Sequence, residues 1–326
     1  MIISNKKINS IKKGIPLSCN MQHALRLVLP DYRFNPTEYE NCIKNKIAEV
    51  YPCCVYSNNS EIKPLGYFTA DDVKNSNVFN KLTALYNNLK YNNTLPGCFT
   101  NKNYELGKSY VCNWNDKPLY KVIVSIQKTC NLKCKMCRAD YVFNKEYDDF
   151  GFDILEQLKG HSIESLGLTD NGEPFFYKNK IMNYLKSLDK NKDFKNISCI
   201  SNLTLLSDND IDILANINNN IKINFTASID GITAETYKKI RGNNLFNKVL
   251  HNALLLCKYK MLSQINFVVQ NDNIHELLEA YEFWNNINNV LFCAIPVNNN
   301  INDKEFNNII NREEYKKFIK IQNERK

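Results

Sequence analysis

The amino-acid sequence predicts a parallel α/β fold, because strand-like and helix-like segments alternate along its second half. From residue 120 onward, six short β-branched or apolar segments recur, each bounded by turn-forming residues. Short continuous apolar segments are typical of parallel strands that are buried on both faces. Amphipathic segments with helical spacing separate these strands. This order favours either an open doubly wound sheet or an incomplete barrel.

The predicted elements follow one another in a regular order. The strands are YKVIVSI, IESLGLTD, NISCISN, KINFTASID, QINFVVQ and VLFCAIP. The helices between them are DILEQLKGH, NKIMNYLKSLDK, SDNDIDILANI, LFNKVLHNALLLCKY and IHELLEAYEFWNNI. Ser207 and the acidic residues after it are a start signal for the third of these helices. One further charged helix, DKEFNNIINREEYKKFIKIQNERK, is predicted after the last strand.

Polar and glycine-containing loops follow the C-terminal ends of the predicted strands. The first strand leads into QKTCNLKCKMCRAD and the second into DNGEPFF. Later strands end at Ser201 and Asn202, at Ser228 to Gly231, and at Gln270. Functional residues of parallel α/β folds lie just beyond these strand ends. We therefore expect a ligand site at this edge of the sheet.

Composition and charge limit the class of protein. The chain has 326 residues, enough for one large α/β domain and a smaller one. Lys and Arg total 42 against 34 Asp and Glu, and a lysine-rich solvated surface explains this excess better than nucleic-acid binding. Charges interrupt the apolar runs of the N-terminus, and no stretch approaches the ~18 uninterrupted apolar residues of a membrane span. We expect a cytoplasmic protein without a membrane partner.

Three of the twelve cysteines, Cys130, Cys134 and Cys137, are clustered with the spacing C-x3-C-x2-C. In a reducing cytosol, clustered cysteines indicate metal binding or catalysis. A structural zinc ion needs four protein ligands, and no fourth cysteine or histidine follows nearby. A C-x2-C redox pair would leave Cys130 unused, and bacterial ferredoxins have a different spacing. Three thiolates fit a cubane iron-sulfur cluster with one iron open to a substrate or cofactor.

This motif and the segments after it resemble the radical S-adenosylmethionine (radical SAM) superfamily. CNLKCKMC resembles the cluster motif of that superfamily, NGEP its GGEP loop, and ISNLTLL its third-strand segment. ASIDG followed by TYKKIRG resembles the fourth-strand signature of the subgroup that includes peptide-modifying maturases. The resemblance covers residues 118 to 298. It implies a partial (β/α)6 parallel-stranded barrel preceded by a small cysteine-rich α+β domain.

The expected domain organisation has three parts. The cysteine-rich domain spans residues 1–117, the radical SAM core 118–300, and a C-terminal helix 301–326. The first part contains scattered cysteines whose order resembles a twitch or SPASM domain, which carries auxiliary iron-sulfur clusters in many radical SAM enzymes. The candidate ligands of an auxiliary cluster are Cys19, Cys53, Cys54, Cys98 and Cys112. A zinc knot, or a degenerate domain that shapes the substrate site, are the alternatives, because such domains usually follow the barrel.

The resemblance implies specific roles for residues of the core. Cys130, Cys134 and Cys137 would hold a 4Fe-4S cluster that binds S-adenosylmethionine. The implied contacts to S-adenosylmethionine are Met136 on the adenine, Gly172 and Glu173 on the methionine amino end, Ser228 on the ribose or carboxylate, Arg241 on the carboxylate, and Asn202 and Asp230 in less defined roles. The sequence identifies no catalytic acid or base.

The resemblance implies an enzyme that cleaves S-adenosylmethionine reductively and removes a hydrogen atom from a substrate. The subgroup signature favours a peptide or protein substrate, with a small molecule, a sugar or tRNA as alternatives. A flavodoxin- or ferredoxin-type protein is the expected electron donor. The competing class is a non-catalytic iron-sulfur or zinc-binding electron-transfer module, which would have no use for the NGEP loop or for Arg241.

Overall fold

The computed structural model describes most of the chain from Ala24 onward. The described residues are 24–28, 36–52, 64–91, 119, 121–125, 129–137, 145–161, 163–168, 172–189, 191–218, 220–287, 289–297 and 304–324. They fall into two compact units. The first unit is Met1–Gln127, Phe143–Gly167 and Leu188–Lys195, and the second is Lys128–Val142, Leu168–Ser187 and Asn196–Lys326.

The first unit contains a mixed sheet with strand order β3-β2-β1-β4-β5. Its strands are β1 (Ala24–Val28), β2 (Ala48–Pro52), β3 (Gly66–Phe68), β4 (Lys121–Ser125) and β5 (Ser165–Leu168). β1 pairs in parallel with β4, whereas β2 is antiparallel to both β1 and β3. Its helices are α1 (Pro36–Asn45), α2 (Ala70–Lys74), α3 (Val78–Tyr91) and α4 (Lys145–Glu156). Apolar side chains of these strands, such as Leu25, Val50 and Val122, are fully buried.

The second unit contains parallel strands in the order β6-β7-β8-β9. These strands are β6 (Asn196–Ser201), β7 (Lys222–Ser228), β8 (Leu262–Val269) and β9 (Leu291–Pro296). Its α-helices are α5 (Lys178–Lys186), α6 (Asp208–Asn218), α7 (Ala234–Arg241), α8 (Phe246–Lys258), α9 (Leu277–Asn285), α10 (Lys304–Asn311) and α11 (Glu313–Glu324). Short 3-10 helices span Pro174–Tyr177 and Ile274–Glu276. Among the helices that the structure describes, none has the length and apolar content needed to cross a membrane.

The predicted α/β fold with six parallel strand units is confirmed. Strands β4 to β9 coincide with the six predicted strands, and helices lie between them in chain order. The predicted domain boundaries stay predictions. One difference concerns α4, which begins at Lys145, upstream of the predicted segment, because buried Tyr147, Phe150 and Ile154 extend the apolar face in that direction.

The C-terminal segment differs from the prediction of a single helix. It forms α10 and α11, which are separated at Arg312. The backbone N–H of Arg312 donates to Ile309 O, while Arg312 O already accepts from Lys316 N at the start of α11. The Arg312 guanidinium contacts Glu314 at 2.6 Å. The local charge pair and the tighter turn therefore end one helix and begin the next.

The strands of the second unit present two different faces. On β7, Ile223, Phe225 and Ala227 are fully buried, whereas the alternate residues Asn224, Thr226 and Ser228 are half-buried. The buried face packs on helical side chains, as when Phe225 stacks on Phe175 with ring centroids 5.9 Å apart. Parallel sheets are usually covered on both faces. A half-exposed polar face on interior strands is therefore a candidate ligand surface.

Glu276 anchors the start of α7, although it lies about forty residues further along the chain. Its carboxylate accepts hydrogen bonds from Ile232 N at 2.7 Å and from the hydroxyls of Thr233 and Thr236 at 2.5 Å. Burial raises the pKa of Glu276, but these hydrogen bonds outweigh burial and leave the pKa lowered. The carboxylate is therefore ionised in the folded protein and holds the N-terminus of α7.

We predict that Glu276→Gln lowers the thermal unfolding midpoint, because the new amide N–H faces a backbone donor. The expected loss in the free energy of unfolding is about 1–3 kcal/mol. Because the folded pKa of Glu276 is lowered, its stabilisation is present above the unfolded pKa and is lost as pH falls through the folded pKa. The difference between wild type and variant should therefore shrink in acid. Circular dichroism melting curves at several pH values measure it.

The matched control is Glu279→Gln on the exposed side of α9. It removes the same charge without touching α7, so its melting curve should follow that of the wild type. Equal midpoints for Glu276→Gln and Glu279→Gln would contradict the anchoring role.

Candidate active site

The cysteine loop, residues 129–137, is tied to two other segments of the second unit through its backbone. Glu173 N donates to Thr129 O at 2.9 Å, and Lys135 N donates to Ile240 O at 2.8 Å. Within the loop, Cys137 N donates to Cys134 O at 2.9 Å. The loop is therefore held between the NGEP segment and the end of α7.

Two cysteine sulfur atoms of the loop accept hydrogen bonds. The Cys130 Sγ accepts from Leu132 N at 3.4 Å and from Asn202 Nδ2 at 3.8 Å. The Cys134 Sγ accepts from Arg241 NH1 at 3.5 Å. Cys130 and Cys134 are half-buried, and Cys137 is exposed. These donors would stabilise negative charge on the two sulfurs.

Burial keeps the two inner thiols protonated when no metal is bound. It raises the pKa of Cys130 to about 11, although the Leu132 N–H opposes it. Burial also raises the pKa of Cys134, with Arg241 opposing. Metal binding deprotonates thiols and is coupled to release of their protons. The N–H groups directed at the two sulfurs would stabilise the negatively charged thiolates that bind a metal.

The arrangement of the three thiols is compatible with a cubane cluster. Among the described residues, no three or more His, Cys, Asp or Glu side chains form a group that could hold a metal ion. In a cubane cluster each thiolate binds a different iron, so its ligands need not surround one point. Three thiols on one loop, with N–H donors to two of the sulfurs, fit such a cluster.

Glu173 joins the NGEP segment to the end of β6. Its buried carboxylate accepts from Ser201 Oγ at 2.8 Å, from Asn202 N at 2.7 Å and from Phe175 N at 3.2 Å. Burial raises the pKa of Glu173 to about 7, and these donors oppose the rise. The carboxylate is thus bonded to protein donors on both oxygens. Gly172 beside it is half-exposed, so its backbone can be reached by a ligand.

The turn after β6 is strained and closely braced. Leu203 has φ 60°, a left-handed conformation that is uncommon for a non-glycine residue. The side-chain amide of Asn252 donates to Leu203 O at 2.9 Å. Asn202 Oδ1 accepts from Thr204 N at 2.9 Å, and Asn202 Nδ2 donates to Asn131 Oδ1 at 3.1 Å. Such strain persists where the surroundings hold it, often at functional sites.

Asp230 and Arg241 form a buried ion pair beside the cysteine loop. Arg241 NH2 lies 2.5 Å from Asp230 Oδ2, and Asp230 is 0% exposed. The other oxygen, Oδ1, accepts from Val268 N at 2.7 Å. Burial lowers the pKa of Arg241, but the Asp230 carboxylate and the Cys134 sulfur outweigh burial and raise it. Arg241 is therefore charged, and its buried Nε has no hydrogen-bond partner among the described residues.

Two glycines permit the close approach of α7 to its neighbours. Gly242 ends the helix with φ 75°, and a Cβ there would lie 3.4 Å from Lys133 O in the cysteine loop. A Cβ on Gly231 would lie 2.9 Å from Tyr237 N, closer than real contacts allow. The SIDG and IRG segments thus require glycine for packing. Thr233 caps the N-terminus of the helix by accepting from Thr236 N.

Most of the described residues with predicted roles come together. Asn202, Asp230 and Arg241 contact the cysteine loop directly or through one another. Met136 lies half-buried within the loop, and Ser228 is half-buried at the end of β7. No hydrogen bond links Ser228 to these groups within the described part of the chain. The auxiliary-cluster candidates Cys19, Cys53, Cys54, Cys98 and Cys112 lie outside the described residues.

Asn273 is a structural residue of the site that the sequence did not single out. Its side-chain amide donates to Asp230 O and Val268 O, both at 2.9 Å, and its Oδ1 accepts from Gln270 N at 2.7 Å. It therefore joins the ends of β7 and β8. The position of Asn273 just after β8 could have indicated a role in the site. Because the chain is rich in asparagine, however, the sequence did not distinguish this asparagine from the others.

Comparison with known proteins supports the interpretation of this region. Residues 124–283 match the family model described as the Radical SAM superfamily. A GTP 3',8-cyclase of Synechocystis sp. is 27% identical over 177 residues, which are 50% of this chain and 51% of that protein. A probable GTP 3',8-cyclase of Saccharolobus islandicus is 28% identical over 184 residues, which are 52% and 54% of the two chains. This chain spans about half the length of the curated relatives that it matches.

Two solved structures with bound S-adenosylmethionine are more distant. One is a histidine-tagged form of anSMEcpe with bound AdoMet, with a TM-score of 0.43, 21% identity, and coverage of 62% of this chain and 58% of that chain. Streptococcus suis SuiB bound to S-adenosylmethionine has a TM-score of 0.41, 16% identity, and coverage of 57% and 42%. The family match and the three-cysteine loop agree: residues 124–283 of this chain are similar to the radical SAM superfamily.

Proposed function

We propose that Cys130, Cys134 and Cys137 hold a 4Fe-4S cluster at which the enzyme cleaves S-adenosylmethionine reductively. The observation that carries this proposal is that Asn202 and Arg241, from two different strand and helix ends, both donate to sulfurs of the one cysteine loop. When bound, the cluster and S-adenosylmethionine supply the electron transfer that yields methionine and the 5'-deoxyadenosyl radical. An external one-electron donor of the flavodoxin or ferredoxin type is the proposed reductant.

Several residues around the loop are suited to bind S-adenosylmethionine. Arg241 is charged and buried, and its Nε is an unused donor, as recognition of a carboxylate requires. Asp230 holds this guanidinium in place. The half-buried hydroxyl of Ser228 is suited to a ribose or carboxylate oxygen, and the Met136 thioether to contact with an adenine ring. The backbone of Gly172 is suited to the amino group.

Glu173 and Asn202 act in this proposal as positioning residues. The carboxylate of Glu173 already accepts donors from Ser201, Asn202 and Phe175, so it fixes the NGEP segment against β6. Asn202 in turn orients the turn that faces Cys130. Their burial excludes water from this side of the site, because Glu173 and Asn202 are 2% and 6% exposed. Hydrogen bonds are stronger in such a low-dielectric setting.

For the substrate we propose a peptide, as the fourth-strand signature indicates. The half-exposed face of β7 to β9 is uncharged beyond Lys222, with Thr226, Gln264 and Cys293 on it. Two large apolar side chains, Leu291 and Ile295, are 59% and 40% exposed on β9. A neutral surface with exposed apolar groups supports a neutral substrate group such as a peptide side chain.

A small molecule is the second candidate, because the curated relatives are named GTP 3',8-cyclase. A nucleoside triphosphate would need cationic side chains for its phosphates. Strands β7 to β9 offer none on their half-exposed face beyond Lys222 in the described chain. We therefore propose a peptide as the first candidate substrate and a nucleotide as the second.

We predict that anaerobically reconstituted protein supplied with dithionite and S-adenosylmethionine releases 5'-deoxyadenosine. Cys134→Ala should abolish this release, because one of three cluster ligands is lost. Cys257→Ala on α8 is the control, since it removes a half-buried cysteine outside the loop and should retain activity. Chromatography with mass detection measures the product. Wild-type protein with a full cluster and no 5'-deoxyadenosine would contradict the proposal.

Addition of GTP separates the two substrate candidates. If the substrate is a peptide, GTP should neither speed 5'-deoxyadenosine release nor be consumed. The measurement is the amount of GTP and of any cyclised product after reaction, with heat-inactivated enzyme as the control. Consumption of GTP in proportion to 5'-deoxyadenosine release would contradict a peptide substrate and identify the nucleotide as the substrate.

We also propose an auxiliary iron-sulfur cluster on Cys19, Cys53 or Cys54, Cys98 and Cys112, supported by their order in the sequence. The prediction is that a variant with Cys130, Cys134 and Cys137 all changed to Ala still binds about four irons per chain. Wild type should then bind about eight. Iron and sulfide assays after reconstitution measure this. A triple variant free of iron, beside wild type with about four, would remove the auxiliary cluster.

A further inference from the structure

Two buried side chains direct N–H donors at cysteine sulfurs from outside the cysteine loop. Asn202 Nδ2 lies 3.8 Å from Cys130 Sγ, and Arg241 NH1 lies 3.5 Å from Cys134 Sγ. The two donor residues are 6% and 7% exposed. Water therefore competes little for these donors. Each of the two half-buried thiols receives one such side-chain donor.

Other contacts keep both donors in place. Thr204 donates to Asn202 Oδ1 through its backbone N–H at 2.9 Å and its hydroxyl at 2.6 Å, which fixes the orientation of the Asn202 amide. Asp230 holds the Arg241 guanidinium by an ion pair of 2.5 Å. The Oδ1 atom of Asp230 is held by Val268 N. The donors are therefore part of a rigid frame around the sulfurs.

We propose that Asn202 and Arg241 set the reduction potential of the cluster by donating hydrogen bonds to the sulfurs of Cys130 and Cys134. This inference rests on the proposed function, in which these cysteines bind the cluster. Reduction adds one electron from an external reductant, with no bond formed or broken. The electron increases the negative charge on the cluster and its sulfurs, so donors to sulfur favour the reduced state and raise the potential.

The local charge balance points to the hydrogen bonds as the cause. Arg241 is paired with Asp230, so the pair adds little net charge near the cluster. The remaining influence on the cluster is the pair of N–H groups that Asn202 and Arg241 direct at the two sulfurs. A neutral thiol is a weak acceptor, whereas an anionic sulfur makes a charge-assisted bond. Two buried donors aimed at sulfur are therefore matched to the ligated state and become stronger on reduction.

The first test is an anaerobic redox titration of the reconstituted holoenzyme without S-adenosylmethionine, followed by electron paramagnetic resonance. Asn202→Leu removes the N–H donor near Cys130, keeps a side chain of similar size and adds no charge. The midpoint potential should shift to a more negative value than in wild type. Asn252→Leu is the matched control, because it removes an amide that braces the same turn through Leu203 O, has no contact with the Asn202 side chain or with sulfur, and should leave the potential unchanged.

The second variant is Asp230→Asn combined with Arg241→Met. It removes both members of the ion pair, so no buried charge is left unpaired, and it removes the donor to Cys134. Its midpoint potential should also be more negative than that of wild type. Iron content is measured in each sample, so that the potential is compared between chains that carry the cluster.

Three outcomes would overturn the proposal. One is a midpoint in both variants that equals or exceeds that of wild type. Another is an equal shift in Asn252→Leu, which would assign the effect to general disturbance of the turn. The third is loss of iron from both variants while Asn252→Leu keeps it, which would assign the donors a purely structural role. A wild type that binds the cluster but releases no 5'-deoxyadenosine would contradict the proposed function and leave the comparison of potentials intact.

Discussion

The buried pair of Asp230 and Arg241 is the interaction on which the arrangement of the site depends. It joins the end of β7 to the end of α7, and the second oxygen of Asp230 accepts from Val268 on β8. The same guanidinium reaches the sulfur of Cys134. Removing one partner of a buried pair leaves an uncompensated charge, which is strongly destabilising. One contact thereby connects two strands, a helix and the cysteine loop.

Neutral amides and hydroxyls connect the other segments that surround the site. Asn273 joins the ends of β7 and β8, Asn252 braces the strained turn at Leu203, and Asn202 connects that turn to Cys130. The Glu173 carboxylate accepts hydrogen bonds from Ser201 and Asn202 at the end of β6. Buried polar groups are costly unless they are hydrogen-bonded, so each of these contacts restricts the conformations that neighbouring side chains can adopt. The asparagine-rich composition thus supplies much of the rigidity around the site.

The redox chemistry proposed for the cysteine loop depends on this rigid frame. Cys130 and Cys134 lie half-buried, with donors directed at their sulfurs, whereas Cys137 is exposed. Exposure and hydrogen bonding to sulfur are two of the factors that set the potential of an iron-sulfur cluster. The half-exposed face of β7 to β9 lies in the same unit of the chain and is uncharged beyond Lys222 in its described residues. In the proposed function, the loop holds the cofactor and this face of the sheet contacts the substrate.

The sequence by itself determined the six parallel strands, the three-cysteine loop and the segments whose ends meet it. These features are local: apolar strand segments, cysteine spacing and turn-forming residues can be read within a few positions. The start of α4 and the break at Arg312 were missed because buried contacts and a short-range charge pair decide them. Only the tertiary structure decided the partners of Asp230, Glu173 and Asn273. Those contacts join residues far apart in sequence and depend on burial, which one-dimensional patterns do not contain.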